Sequence, residues 1–118
     1  TYEQVKIRIS AIDAPEKNQP FGEESKRNLS ALCYKAEATI TQKATDRYGR
    51  IVADVKCGRH DVATEQVRAG MAWVYDKYAK DYERMYPIQS AARSARVGLW
   101  ADQGAAPPWE WRKSGRDR

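Results

Sequence analysis

Histidine and phenylalanine each occur once in the 118 residues, and cysteine only twice. One histidine, His60, and two cysteines outside any CxxC pair do not make a zinc cluster. Metal chemistry here would have to use oxygen ligands, as calcium and magnesium do. No apolar run approaches the roughly 18 residues that carry a helix across a bilayer, and no membrane partner is expected. Internal repeats and low-complexity stretches are also absent. Charge is abundant: 21 Lys and Arg against 16 Asp and Glu, a net +5. That excess favours a polyanionic partner through steering and counterion release, and fits a solvated basic surface equally well. A chain of 118 residues suits a single domain over 1–118, with a core of its own. Its charged end, 112–118, reads as a flexible basic tail.

Val5-Lys6-Ile7-Arg8-Ile9-Ser10 alternates apolar and polar, which predicts a half-buried strand with Arg8 on the polar face. It runs into Ile12-Asp13-Ala14-Pro15-Glu16. Pro15 removes an amide and keeps Ala14 out of the helical region, so Asp13 and Glu16 lie at a strand end. Gly22 to Cys33 reads as a helix with Glu23 and Glu24 in its first turn, where the dipole favours acids. Ala36–Thr41 and Ile51–Val55 form an antiparallel hairpin around the polar turn Ala44–Gly49. That pairing sets the start of one strand against the end of the other and brings Cys33 near Cys57, so a disulfide between them is expected. Asp61 caps a helix to Ala69, with Gly70 as its stop. Ala72–Tyr75 is a connector or short strand. A last helix covers roughly Tyr82–Val97, and Ala105–Trp111 is an irregular docked segment. Strand, helix, hairpin, helix, helix is an α+β order, with a small barrel among the options.

Two clusters carry chemistry. Hydrolysis of a phosphodiester needs charge to be offset, water to be activated and geometry to be held. An arginine fork donates two hydrogen bonds to phosphate and never deprotonates. Arg8 and Arg50, from separate segments, can clamp one phosphate. Glu16 can take a proton from water. Asp13, with a backbone carbonyl such as that of Ala14, can ligate calcium. Singly, each residue also fits a duller role: a solvated strand arginine, an Asp closing its own turn, a polar hairpin loop.

Jointly, the motifs resemble the staphylococcal-nuclease (thermonuclease) family. The resemblance runs in order through Arg8 to Glu16, Gln19-Pro20-Phe21-Gly22, Asp46-Arg47-Tyr48-Gly49-Arg50, Val67-Arg68-Ala69-Gly70-Met71-Ala72-Trp73, Gly98-Leu99-Trp100 and Pro107-Pro108-Trp109-Glu110-Trp111-Arg112. It implies an OB-fold, a five-stranded barrel with three helices, and calcium-dependent cleavage of DNA and RNA to 3′-phosphate products. It makes Arg8 and Arg50 the catalytic phosphate-binding arginines and Glu16 the general base. Asp13 and the Ala14 carbonyl become metal ligands. Tyr48 lies beside the nucleotide; Tyr75 and Tyr78 fit either that role or plain packing. The family and the Cys33–Cys57 bridge suggest a secreted or periplasmic setting.

The family's pattern also opens with two strands and an Asp-Gly-Asp-Thr turn that lie outside this sequence. The chain is therefore expected to be part of a longer protein, or to complete its barrel through a separate segment or a second copy. Alone, it is expected to cleave weakly. Gln89 stands where a glutamate is common and is expected to alter packing polarity. The alternatives are a nucleic-acid-binding OB module without catalysis and a small basic interaction domain. The presence of Arg8, Glu16 and Arg50 together favours the enzyme.

Overall fold

A computed structural model describes residues 6–116. Strand β1 (Ile7–Ile9) is followed directly by β2 (Ile12–Asp13), helix α1 (Gly22–Cys33), and the hairpin β3 (Ala38–Thr45) and β4 (Ile51–Cys57). Then come β5 (His60–Asp61), α2 (Val62–Arg68), β6 (Trp73–Val74), α3 (Met85–Ala95) and α4 (Pro108–Arg116). The α+β class holds. The strands lie in two sheets, one of order β1-β4-β3 with β5 on the end of β4, the other the pair β2-β6. Among the described residues they close no barrel. β3 is exposed along its whole length.

β1 and β4 pair in parallel, with Ile7 against Ile51, Arg8 against Val52 and Ile9 against Ala53. The apolar side of β1 meets Val55, Cys57 and Val62, and Leu29 and Cys33 of α1 close over it. The chain leaves this sheet at Ala11, a buried residue with φ of 70°. That left-handed kink turns β2 away from β1 and onto β6. β2 then sets Ile12 against Val74 and Asp13 against Trp73. The second core lies here: Ala11, Ile12, Val67, Val74 and Met85 pack with Ile9 and Tyr82.

Local sequence explains the helices. The α1 axis starts at a glycine because a Cβ on Gly22 would lie 2.0 Å from the Glu16 carbonyl oxygen. No other residue lets α1 come that close to the loop bearing Glu16. α2 is capped by Asp61, whose side chain accepts from the Thr64 amide. It stops at Gly70, at φ +68°, where a Cβ would meet the Val97 carbonyl at 2.3 Å. In α3, Pro87 occupies the first turn, where its missing N–H costs nothing. Gln89 accepts the Val74 amide at 2.7 Å through its side-chain oxygen and so fixes the edge of β6.

Two expectations are corrected. Residues 108–111 are helical rather than irregular, because Pro108 opens a helix at its first position and the Trp111 amide returns to the Pro107 carbonyl at 3.0 Å. The mobile tail is likewise displaced: 112–116 continue that helix, and 117–118 lie outside the described residues. With α4 the α-helices among the described residues number four, where the resemblance implied three.

Cys33, at the end of α1, is disulfide-bonded to Cys57, at the end of β4, with Cα atoms 5.0 Å apart and a sequence separation of 24. Cross-linking a loop of that size removes about 3 kcal/mol of denatured-state entropy. Urea unfolding of the oxidised and reduced protein should differ by about that amount, a large share of a small domain's stability. Equal midpoints would contradict it.

Candidate active site

The parallel register sets Arg8 beside the start of β4, next to the turn that holds Arg50. Arg8 is level with Val52, and partners in a parallel ladder point the same way. Arg50 is the last residue of the turn, immediately before Ile51 opens β4. The Ile51 amide, donating to the Lys6 carbonyl at 3.0 Å, ties the Arg50 end of β4 to β1.

Arg8 is held by aromatic rings. Its guanidinium carbon is 5.2 Å from the Tyr75 ring centroid and 5.1 Å from that of Tyr78, within cation–π range. Tyr75 is reached because its amide donates to the Ala11 carbonyl at 2.8 Å, next to the β2-β6 pair. It also meets Tyr78 edge-on at 5.1 Å and stacks on Trp109 of α4 at 4.9 Å with the planes 10° apart. Trp109 also meets Trp73 edge-on at 5.8 Å. Tyr75 is thus packed as well as placed at the site, while Tyr78 is 46% exposed and keeps a ring available to solvent.

Arg50 is held by its own turn. Asp46 accepts from the amides of Tyr48 and Arg50, both at 2.9 Å, with one oxygen, and from Arg50 Nε at 2.7 Å with the other. Gly49, at φ +80°, lets the chain fold back so that its amide reaches the Asp46 carbonyl. Binding through Nε leaves both terminal nitrogens of the guanidinium for other acceptors. Tyr48 is 70% exposed, with the guanidinium carbons of Arg47 and Arg50 at 5.0 and 5.7 Å from its ring. Burial alone would raise the Asp46 carboxyl. The Arg50 amide and guanidinium and the Tyr48 amide outweigh burial and hold it below its ordinary 3.8.

Asp13 and Glu16 share a partner that sequence reasoning assigned to a tail. Arg112 of α4 donates through Nη2 to Asp13 Oδ2 at 2.5 Å, and through Nη1 to Glu16 Oε1 at 2.5 Å and Asp13 Oδ1 at 3.2 Å. The Asp13 hydrogen bonds push the guanidinium further up, partial burial opposes that, and Glu16 adds to it. Gln19 steadies the loop: its side-chain oxygen accepts the Glu16 amide at 3.1 Å, and its nitrogen donates to the Ala106 carbonyl at 2.7 Å. Arg112, Trp109, Gln19 and Asp46 are the site residues that sequence reasoning missed. The spacing of Trp109 and Arg112 was the available signal, since i and i+3 share a helix face.

The predicted residues therefore form three groups: Arg8 with Tyr75 and Tyr78, Arg50 with Tyr48, and Asp13 with Glu16. Among the described residues no hydrogen bond joins one group to another. Nor do three or more His, Cys, Asp or Glu converge. Asp13 and Glu16 nonetheless fit a hard cation. Their donors are all oxygen, and a cationic group already lies between them.

The model of the staphylococcal nuclease homologue family matches residues 6–102. The chain belongs to that family. It is 40% identical over 113 residues to an uncharacterized endonuclease of Haemophilus influenzae, covering 92% of this chain and 61% of that protein. It is 34% identical over 123 residues to the micrococcal nuclease of Shigella flexneri, covering 96% and 71%. It is 39% identical over 112 residues to an uncharacterized 38.1 kDa protein of Capnoides sempervirens, covering 95% and 33%. The chain thus spans between a third and about two thirds of these relatives. Within the staphylococcal nuclease homologue match lie Arg8, Asp13, Glu16 and Arg50; Trp109 and Arg112 lie beyond it.

The Asp46 anchor has a pH signature. A lowered carboxyl stabilises the turn fully above pH 3.8 and loses that contribution as pH falls through its own lower midpoint. NMR titration should place the Asp46 midpoint below 3.8, with the Tyr48 and Arg50 amides moving at the same pH. A midpoint at or above 3.8 would refute the anchor.

Proposed function

We propose that the protein is a calcium-dependent nuclease that hydrolyses phosphodiester bonds of DNA and RNA with little sequence preference. The observation that carries this reading is that Arg8 lies in the strand parallel to β4, level with Val52, while Arg50 sits at the turn that leads directly into β4. Two forks so placed suit a single phosphate approached from two sides. Tyr75 and Tyr78 hold Arg8 in position, and Asp46 holds Arg50. An anchored guanidinium loses less freedom on binding phosphate than a mobile one.

Asp13 and the Ala14 carbonyl would hold calcium, with Glu16 reaching it through a water and further waters completing its shell. Bound there, the ion supplies positive charge against that of the phosphate. Glu16 takes the proton of a water that attacks phosphorus. The bond to the 5′-oxygen breaks, that oxygen takes up a proton from water to leave as a hydroxyl, and the phosphate remains on the 3′ side. Tyr48, exposed at the turn, offers a ring on which any base can stack. Stacking and phosphate contacts do not read base edges, so cleavage has little sequence preference. The disulfide suits an oxidising setting, secreted or periplasmic.

Plasmid and single-stranded DNA should be cleaved in calcium and spared in EGTA. Glu16→Gln should lower the rate by roughly 10²–10⁴-fold, the usual contribution of a positioned base. Cleavage that survives EGTA would contradict the calcium site, and an unchanged rate in Glu16→Gln would contradict the base. Binding without cleavage at any calcium concentration would favour the non-catalytic module.

A further inference from the structure

We propose that Arg112 is a built-in counter-cation for the Asp13–Glu16 pair, and that a divalent cation must displace it to bind there. This rests on the reading of Asp13 and Glu16 as the calcium site.

The geometry leaves one place for two cations. Arg112 takes both oxygens of Asp13 and one of Glu16. Asp13 is the more enclosed carboxylate, with its side chain 12% exposed. Calcium binds oxygen at roughly 2.3–2.6 Å, and the Nη2 of Arg112 is already 2.5 Å from Asp13 Oδ2. A metal on that oxygen would touch the guanidinium. The pair carries two negative charges, and the guanidinium cancels one of them. Calcium together with Arg112 would bring three positive charges to two carboxylates, with the like charges in contact. One cation must leave, and the mobile side chain of Arg112 can.

Arg112 is not on this pair by accident of a loose end. α4 is pinned by Trp109 against Tyr75 and Trp73, and Pro108 at its start is buried. Arg112, one turn on from Trp109, is thereby aimed at Asp13 and Glu16. The Gln19 bond to Ala106 ties the Glu16 loop to the segment leading into α4. The arrangement keeps the two carboxylates together, with one of their two charges offset, at low calcium. When calcium enters, Arg112 swings out and the end of α4 loosens, while Trp109 stays docked. Arg112 thus sets the calcium concentration at which the site becomes competent.

Calorimetric titration of calcium into the full chain and into Arg112→Gln tests this. The variant should bind calcium more tightly, on the order of tenfold, the size usual for coupling between two bound groups of one protein. Equal or weaker binding by Arg112→Gln overturns the displacement and leaves the calcium site standing. Absence of binding in both proteins overturns both. If circular dichroism shows that Arg112→Gln does not fold, hydrogen exchange of the unaltered protein decides. Calcium should speed exchange from Trp111 onward and leave the rest of the fold unchanged. Unchanged or slower exchange in that segment overturns the proposal.

Discussion

The Ser10 amide donates to the Ala53 carbonyl at 2.9 Å and the Ile51 amide to the Lys6 carbonyl at 3.0 Å, and with these bonds β1 lies parallel to β4. Most of the site follows from that register. It brings Arg8 beside the start of β4, where the Arg50 turn ends, and sends Ile7 and Ile9 to the core on the other face. A slip of one residue would send Arg8 inward and expose its apolar neighbours, which the core forbids. The kink at Ala11 then takes the chain off this sheet, so that Asp13 is delivered to Trp73 rather than continuing along β4. Two short ladders joined by one left-handed residue thus separate the arginine side from the carboxylate side.

The second organising element is aromatic. Trp100, Trp73, Trp109 and Tyr75 form a continuous chain of ring contacts, with centroids between 4.5 and 5.8 Å apart. Arg8 lies on Tyr75 at one end of it, and α4, with Arg112, joins it in the middle through Trp109. Rings of this size bury much area with few rotatable bonds, so they hold geometry at small entropic cost. The disulfide acts far from this chain. It joins α1 to the end of β4 and supports the scaffold rather than the chemistry.

Much of this was legible beforehand. α1 was predicted to its observed ends, because Gly22, two first-turn glutamates and the apolar stripe agree. The hairpin pairing foretold the Cys33–Cys57 contact, since antiparallel strands fix which ends meet. Alternation in β1 identified the face of Arg8. The end of the chain was misjudged for a physical reason. Trp109-Glu110-Trp111-Arg112 is too short to show helical periodicity, and its helix depends on docking against Trp73 and Tyr75, which are far away in sequence. Composition made Arg112 look like part of a solvated tail. Only the tertiary fold, bringing it against residues nearly a hundred positions earlier, reveals it as the partner of Asp13 and Glu16. The resemblance to staphylococcal nucleases pointed to the right family; it did not reveal that contact.

The central claim is that Arg8 and Arg50 act on the same phosphate. A double-mutant cycle of Arg8→Ala and Arg50→Ala, read as the cleavage rate in calcium, tests it most directly. Groups that share one partner are coupled, and groups that do not are additive. The double variant should be far less impaired than the product of the two single losses. Losses that simply multiply would mean that the two arginines act independently, and the site would not be the one described.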